Sequence, residues 1–76
     1  MFRKSKLKKE INACKKKIAT LEQKRSRSQA ALVSAILTHQ DPDDNDLEFF
    51  NMFTEQINKE RDRMQGLTKE LEELEK

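Results

Sequence analysis

The sequence has no Trp and no Tyr, and it contains Gly, Pro and Cys only once each. So few Gly and Pro residues leave few places to turn, which argues against a sheet of short strands and favours long solvated helices. A single cysteine cannot form an internal disulfide, so nothing indicates an oxidising compartment. No apolar run reaches transmembrane length, and we expect a cytoplasmic protein.

Charged residues make up 39% of the chain, and the two signs are separated along it. Residues 1–40 contain eleven basic and two acidic side chains, for a net charge of +9. Residues 41–76 contain five basic and twelve acidic side chains, for a net charge of −7. This asymmetry is typical either of a nucleic-acid-binding arm with an acidic tail or of two helices that neutralise each other.

Two unbroken heptad frames favour the second interpretation. The first begins at Leu7 and ends at Ala35, and the second begins at Phe50 and ends at Leu74. Pro42 prevents one continuous helix between them, and Asp41 or Asn45 is the expected cap of the second helix. We predict an all-α, antiparallel two-helix coiled-coil hairpin that dimerises into a four-helix bundle or packs on a helical partner. As a single domain over 1–76, it has helix one at about 5–39, a loop at about 40–46 and helix two at about 47–75.

The register follows if the chain folds back between Pro42 and Asp43, because paired residue numbers then sum to a constant of about 85. That constant places Arg25 opposite Glu60, the only charged residues in the two frames. We therefore predict that Arg25 and Glu60 form a partly buried ion pair that specifies the register and adds little net stability. The same constant predicts attractive pairs at the flanks of the seam, among them Glu22 with Arg61, Lys8 with Glu75 and Lys17 with Glu70.

No residue pattern indicates catalysis, a metal or a cofactor. Glycine-rich phosphate loops, nucleophile elbows and metal-ligand spacings are missing from the sequence. The acids near Pro42 lack the Gly and closing Glu of a calcium loop. Cys14 is expected to be a packed thiol, and His39 to lie at the negative end of helix one. We expect a protein that is not an enzyme and needs no cofactor.

Apolar side chains near the loop exceed what a two-helix seam can bury. Exposed clusters of this kind usually mark interfaces. We predict that they form an interface with a helical protein partner or with a second copy of the chain. The predicted interface residues are Val33, Ile36, Leu37, Leu47, Phe49 and Met52.

The opposite end of the hairpin is basic. A constant of 85 would leave residues 1–8 as an overhang beyond helix two, where no acidic helix answers their charge. This overhang is either a solvated tail without a binding role or the site for an anionic partner, such as an acidic protein, a nucleic acid or a membrane surface. The predicted anionic-partner patch consists of Arg3, Lys4, Lys6 and Lys8 in the overhang and of Lys9 next to it.

These features together predict a small protein–protein interaction module, such as an adaptor, a co-chaperone or a regulatory subunit. The first alternative is a homodimeric four-helix bundle that binds nucleic acid through basic helix one, and in outline the chain is similar to the small dimeric hairpin that regulates plasmid copy number. Nucleic acid is the less favoured partner, because three of the four Phe residues lie in the acidic half. The second alternative is a helical subunit or chaperone of a secretion apparatus, since the helix, turn and helix around Asp41 to Phe50 resemble type III secretion needle subunits and their chaperones.

Overall fold

The fold is a helical hairpin. The structure, a computed structural model, describes residues 2–76. Within that range it contains no strand and two helices, α1 at Phe2–Leu37 and α2 at Asp44–Glu75, which pack antiparallel against each other. The molecule measures 57 × 16 × 14 Å. A helix as long as α1 spans about 54 Å, so the rod is one helix long and two helices wide. The predicted all-α hairpin is confirmed.

Burial follows the predicted heptad positions. At the centre of the seam Ile57 is fully buried against Ile18 and Leu21, with Phe53 and Met64 packed around them. Burying a side chain such as Ile57 stabilises the fold by about 2–3 kcal/mol. Every buried residue lies in one of the two predicted frames, so the frames are correct. The buried residues are Leu7, Ile11, Cys14, Ile18, Leu21 and Ser28 on α1, and Ile57 on α2.

A left-handed residue ends α1. His39 has φ 58° and is the one non-glycine residue with positive φ among residues 2–76. Its N–H bonds the Ile36 carbonyl at 3.1 Å, and the Gln40 N–H bonds the Ala35 carbonyl at 2.8 Å. This pair of bonds is the Schellman motif, which satisfies the last carbonyls of a helix and reverses the chain. The chain therefore turns at His39, earlier than Pro42, and α1 ends two residues before its predicted end.

The second helix begins at a cap that the sequence interpretation missed. Asp43 has extended backbone angles, and its side chain accepts a hydrogen bond of 2.8 Å from the Asn45 N–H. Its carbonyl accepts the first helical bond, from the Leu47 N–H at 3.1 Å. The two expected caps, Asp41 and Asn45, were wrong, and α2 begins three residues before its predicted start. Acidic side chains in the first turn favour the positive end of the helix dipole.

The register differs from the predicted one. The four ion pairs between the helices join residues whose numbers sum to 73, 79, 77 and 83, which scatter about 78. This constant is one heptad smaller than 85. A slip of seven residues leaves every seam residue in the seam, because the pattern repeats every seven residues. Heptad spacing therefore identified the buried face, whereas the turn at His39 sets which residues meet across it.

The smaller constant removes the predicted basic overhang. Leu7 would face a position beyond the last residue if the constant were 85, yet it is 5% exposed. A constant of 78 places it opposite Leu71, which is half-buried. Conversely, a constant of 85 would pair Leu74 with Ile11 inside the seam, whereas Leu74 is exposed. Of the overhang assigned to residues 1–8, residues 2–8 belong to α1 and run beside α2, and Met1 lies outside the described residues.

Replacing His39 by Gly should stabilise the hairpin. A side chain in the left-handed region crowds its own backbone, and Gly adopts that region without this penalty. We expect His39→Gly to raise the free energy of unfolding by about 1 kcal/mol, measured by urea denaturation with circular dichroism. The matched control is Ala13→Gly in an exposed helical turn, which should lower it by about 1 kcal/mol. A destabilising His39→Gly would show that α1 does not end in this motif.

Candidate interaction surfaces

Large apolar side chains are exposed around the loop end. Eight large hydrophobic residues among residues 2–76 are exposed, and six of them are the predicted interface residues. Their exposed fractions range from 40% at Met52 to 75% at Leu37. The other two, Phe2 and Leu74, lie at the far end of the rod. We call the six the loop-end apolar residues: Val33, Ile36, Leu37, Leu47, Phe49 and Met52.

The loop-end apolar residues form two faces, not one patch. In the heptad frames that burial confirms, Ile36 and Leu47 occupy e positions. In an antiparallel hairpin the e positions of the two helices line the same side of the seam. Phe49 and Met52 occupy g and c positions, which place them on the other side. The α1 face therefore contains Val33, Ile36 and Leu37 with Leu47 beside them, and the α2 face contains Phe49 and Met52.

A shallow, open furrow of about 540 Å³ lies on α1, and of the α1 face it includes Val33 and Leu37 but not Ile36 or Leu47. Its lining residues recur every three or four positions, so they form one stripe along α1. They are small or moderate in size, and the stripe carries no charge. The apolar members are Ala30, Val33 and Leu37, and the polar members are Ser26, Gln29, Ser34 and Thr38. We call this stripe the α1 furrow.

The α2 face has an aromatic centre and an acidic edge. The Phe49 ring stacks on the Phe53 ring, with centroids 6.2 Å apart and 19° between the ring planes. Phe53 belongs to the seam, so this stacking connects the exposed Phe49 to the core. Glu48 and Glu55 are helical neighbours of Met52, four residues before it and three after it. A ligand for this face would have to contact both apolar rings and carboxylates.

The acidic helix partly neutralises the basic end of α1. Arg3 donates a hydrogen bond of 2.5 Å to Glu70, and Lys4 Nζ lies 3.6 Å from Glu75. The expectation that no acidic residue answers this charge was therefore wrong for Arg3 and Lys4. Their partners Glu70 and Glu75 were expected to pair with Lys17 and Lys8. Lys6, Lys8 and Lys9 are exposed and form no ion pair within residues 2–76.

Glu60 pairs with Lys17 and not with Arg25. Its Oε1 accepts a hydrogen bond of 3.1 Å from Lys17 Nζ, whereas Arg25 forms no ion pair in the described part of the chain. A constant of 78 explains this, because it places Glu60 opposite Ile18 and Arg25 opposite Phe53. The predicted pairing of Arg25 with Glu60 was wrong by one heptad. At the flank of the seam, the predicted pair of Glu22 and Arg61 is confirmed: Arg61 Nη2 donates a hydrogen bond of 2.6 Å to Glu22 Oε1. The long Arg side chain spans the offset between the two residues along the rod.

The surroundings of Glu60 disfavour chemistry at Cys14. The hydrogen bond from Lys17 lowers the pKa of the Glu60 carboxyl, and burial opposes that shift. Oε2 of Glu60 is buried and has no hydrogen-bond partner among residues 2–76. Burial raises the pKa of the Cys14 thiol, and the nearby Glu60 carboxylate raises it further. Because the thiolate is the nucleophile and the metal ligand, Cys14 is a poor candidate for either role.

Residues 2–76 contain neither a candidate metal site nor a candidate membrane-spanning helix. No group of three or more His, Cys, Asp or Glu side chains in this range lies close enough together to hold a metal ion. Neither α1 nor α2 has a stretch that is both long and apolar enough to cross a lipid bilayer.

Comparisons with known proteins add no relationship: no protein family, no curated protein and no solved structure was found to match the chain.

Replacing Glu60 by Leu should stabilise the protein. The change removes a largely buried carboxylate with an unpartnered oxygen and adds an apolar contact to Ile18. Lys17 is 60% exposed, so it remains hydrated after losing its partner. We expect the free energy of unfolding to rise by about 1 kcal/mol. With the constant at 85, Arg25 would instead lose its partner in the seam and stability would fall.

Double-mutant cycles should locate the partner of Glu60 independently. Glu60→Gln combined with Lys17→Met should show a coupling of about 0.2–1 kcal/mol, as exposed ion pairs do. Glu60→Gln combined with Arg25→Met serves as the control and should be additive within error. Coupling to Arg25 without coupling to Lys17 would restore the larger constant.

Cys14 should react slowly with alkylating reagents while the protein is folded. The thiol is 2% exposed, and its raised pKa keeps the thiolate fraction low at about pH 8. We expect iodoacetamide labelling, followed by mass spectrometry, to be at least tenfold faster in urea than in native buffer. The same burial should prevent a rapid Cys14–Cys14 disulfide under mild oxidation. Rapid native crosslinking would indicate two parallel copies of α1 instead of a hairpin.

Proposed function

We propose that the chain is a non-enzymatic protein–protein interaction module, acting as an adaptor, a co-chaperone or a regulatory subunit. It docks on a helical partner through the loop-end apolar residues. The observation that carries this proposal is the position of the exposed apolar surface, since six of the eight exposed large hydrophobic residues among residues 2–76 lie at one end of the rod. Exposed clusters of this kind usually mark interfaces.

The thin core supports the proposal. The hairpin has a single seam, and Ile57 is its one fully buried large side chain in the described range. A second layer of helices would cover the exposed Leu, Ile, Val, Phe and Met side chains and contribute the burial that the hairpin lacks. A partner that presents an apolar helical stripe fits this need, because helix faces bind in grooves through residues at spacings of three and four.

The α2 face also indicates the charge of such a partner. Phe49 is half-exposed beside its stacked neighbour Phe53, and Glu48 and Glu55 flank Met52. A partner helix with apolar residues at its centre and Lys or Arg at its rim would match both features. Rim charges of this kind chiefly raise the association rate and select the partner.

A second candidate function is binding to an anionic surface or nucleic acid through basic α1. The observation in its favour is that Lys6, Lys8 and Lys9 are exposed and unpaired among residues 2–76. The ion pairs of Arg3 and Lys4 weaken it, because they divert positive charge to α2. If this candidate is right, the protein should bind nucleic acid with an affinity that falls steeply as the salt concentration rises.

Quantitative affinity capture tests the proposed function. Tagged wild type and Phe49→Ser/Met52→Ser are incubated with lysate of the native cell, and recovered proteins are compared by mass spectrometry. Because the two side chains are exposed, the double variant should keep its helicity and lose at least one specific protein. Leu74→Ser is the matched control, since Leu74 is equally exposed at the far end, and it should retain that protein. Identical recoveries for all three chains would contradict docking through the α2 face.

A further inference from the structure

We infer that the α1 furrow is a self-association site, occupied by the α1 furrow of a second copy in antiparallel orientation. This inference rests on the proposed function, because it assigns an occupant to one of the two loop-end faces. It leaves the α2 face free for a different partner.

The charge of the segment is the first argument. Residues 28–40 contain no Asp, Glu, Lys or Arg, in a chain of which 39% is charged. In a twofold-symmetric contact the residues near the axis approach their own equivalents, so any charge there would meet a like charge. The α1 furrow has none. By contrast, self-association through the α2 face would bring Glu48 and Glu55 of two copies together.

The shape of the stripe is the second argument. If the twofold axis lies between Val33 and Ser34, residue numbers of the two copies sum to 67 along the contact. Val33 then faces Ser34 of the second copy, and Ala30 faces its Leu37. Large side chains thus meet small ones, which is how closely approaching helices fill the space between them. Gln29 faces Thr38, so the polar members of the furrow also meet each other.

Charge complementarity continues beyond the furrow on both sides of the proposed axis. The pairing of residues stops where α1 ends at Leu37 and the chain reverses at His39. The loop of the second copy, which contains Asp41 and Asp43, begins there, next to the stretch 24–27. By symmetry the contact occurs twice. Each basic stretch 24–27 therefore adjoins the acidic loop of the other copy. A parallel arrangement would set the basic stretches against each other and the acidic loops against each other, so charge selects the antiparallel orientation.

The exposed area is compatible with such a dimer. A compact protein of 9.0 kDa exposes roughly 4,900 Å², whereas this chain exposes 6149 Å². The excess of about 1,250 Å² is larger than the roughly 800 Å² that each partner contributes to an interface of standard size. The rod can therefore bury one such interface and still expose as much surface as a compact monomer does.

Mass and mutagenesis test the inference first. Light scattering of the wild type at micromolar concentration should give twice the 9.0 kDa monomer mass. Val33→Glu/Leu37→Glu should halve that mass, while circular dichroism shows that the helices persist. Leu74→Glu and Phe49→Ser/Met52→Ser are the controls, and both should remain dimeric. A monomeric wild type overturns the inference, as does dissociation of the Phe49→Ser/Met52→Ser variant when the Val33→Glu/Leu37→Glu variant stays dimeric.

Single-cysteine crosslinking tests the orientation. Ser34→Cys lies beside the proposed axis and should form a disulfide between the two copies of position 34, located by peptide mapping with the buried Cys14 left in place. Ser26→Cys is the matched control in the same furrow. Antiparallel packing separates the two copies of residue 26 by about 22 Å along the axis, beyond disulfide reach. Crosslinking of Ser26→Cys as fast as Ser34→Cys would mean parallel packing and overturn the inference.

The two proposals fail separately. If the wild type is monomeric but Phe49→Ser/Met52→Ser still loses its captured protein, the self-association is wrong and the docking function stands. If the wild type forms the antiparallel dimer but no protein depends on Phe49 and Met52, the dimer is right and docking of a different protein on the α2 face is wrong.

Discussion

The arrangement of this hairpin depends on where α1 ends. The left-handed His39 closes the helix with two backbone hydrogen bonds and reverses the chain before Pro42 is reached. Once the direction reverses there, the two heptad seams can meet only in the register with a constant of about 78. That register brings Glu60 to Lys17 and buries Leu7. It also carries the first turns of α1 alongside α2, where basic side chains find acidic partners.

A second constraint follows from having two helices and no more. Two helices share one seam, and here it is narrow enough that Ile57 alone among the large side chains is completely buried in the described range. The ion pairs at the flanks of the seam are exposed at one or both partners, and such pairs contribute about 0–1 kcal/mol each. The apolar residues near the loop keep 40–75% of their surface exposed, so much of their possible burial is not used by the isolated hairpin. Their exposure has a structural cause, because the fold contains no further layer that could cover them.

The sequence predicted the fold class and the seam, because both depend on which residues recur every seven positions. It did not predict the register, because that recurrence is unchanged by a slip of seven. The two charged seam residues do not meet: Glu60 pairs with Lys17, and Arg25 forms no ion pair in the described part of the chain. A His at the end of α1 carries little sequence signal for a left-handed cap, since Gly or Asn is the usual occupant. Pro42 is the stronger sequence signal for a turn, and a turn centred there predicts a constant of 85 and the basic overhang.

The two faces of the loop end could also have been separated from the sequence. Heptad positions alone place Ile36 and Leu47 on one side and Phe49 and Met52 on the other. The run of thirteen residues without formal charge, 28–40, was a further signal. On an exposed helix, charges keep the surface hydrated and prevent association. Their loss over three turns of α1 coincides with the α1 furrow and ends on both sides at charges of opposite sign. A surface that is uncharged at its centre, basic at one end and acidic at the other is complementary to its own antiparallel copy, whereas the acidic edge around Phe49 is complementary to a different molecule.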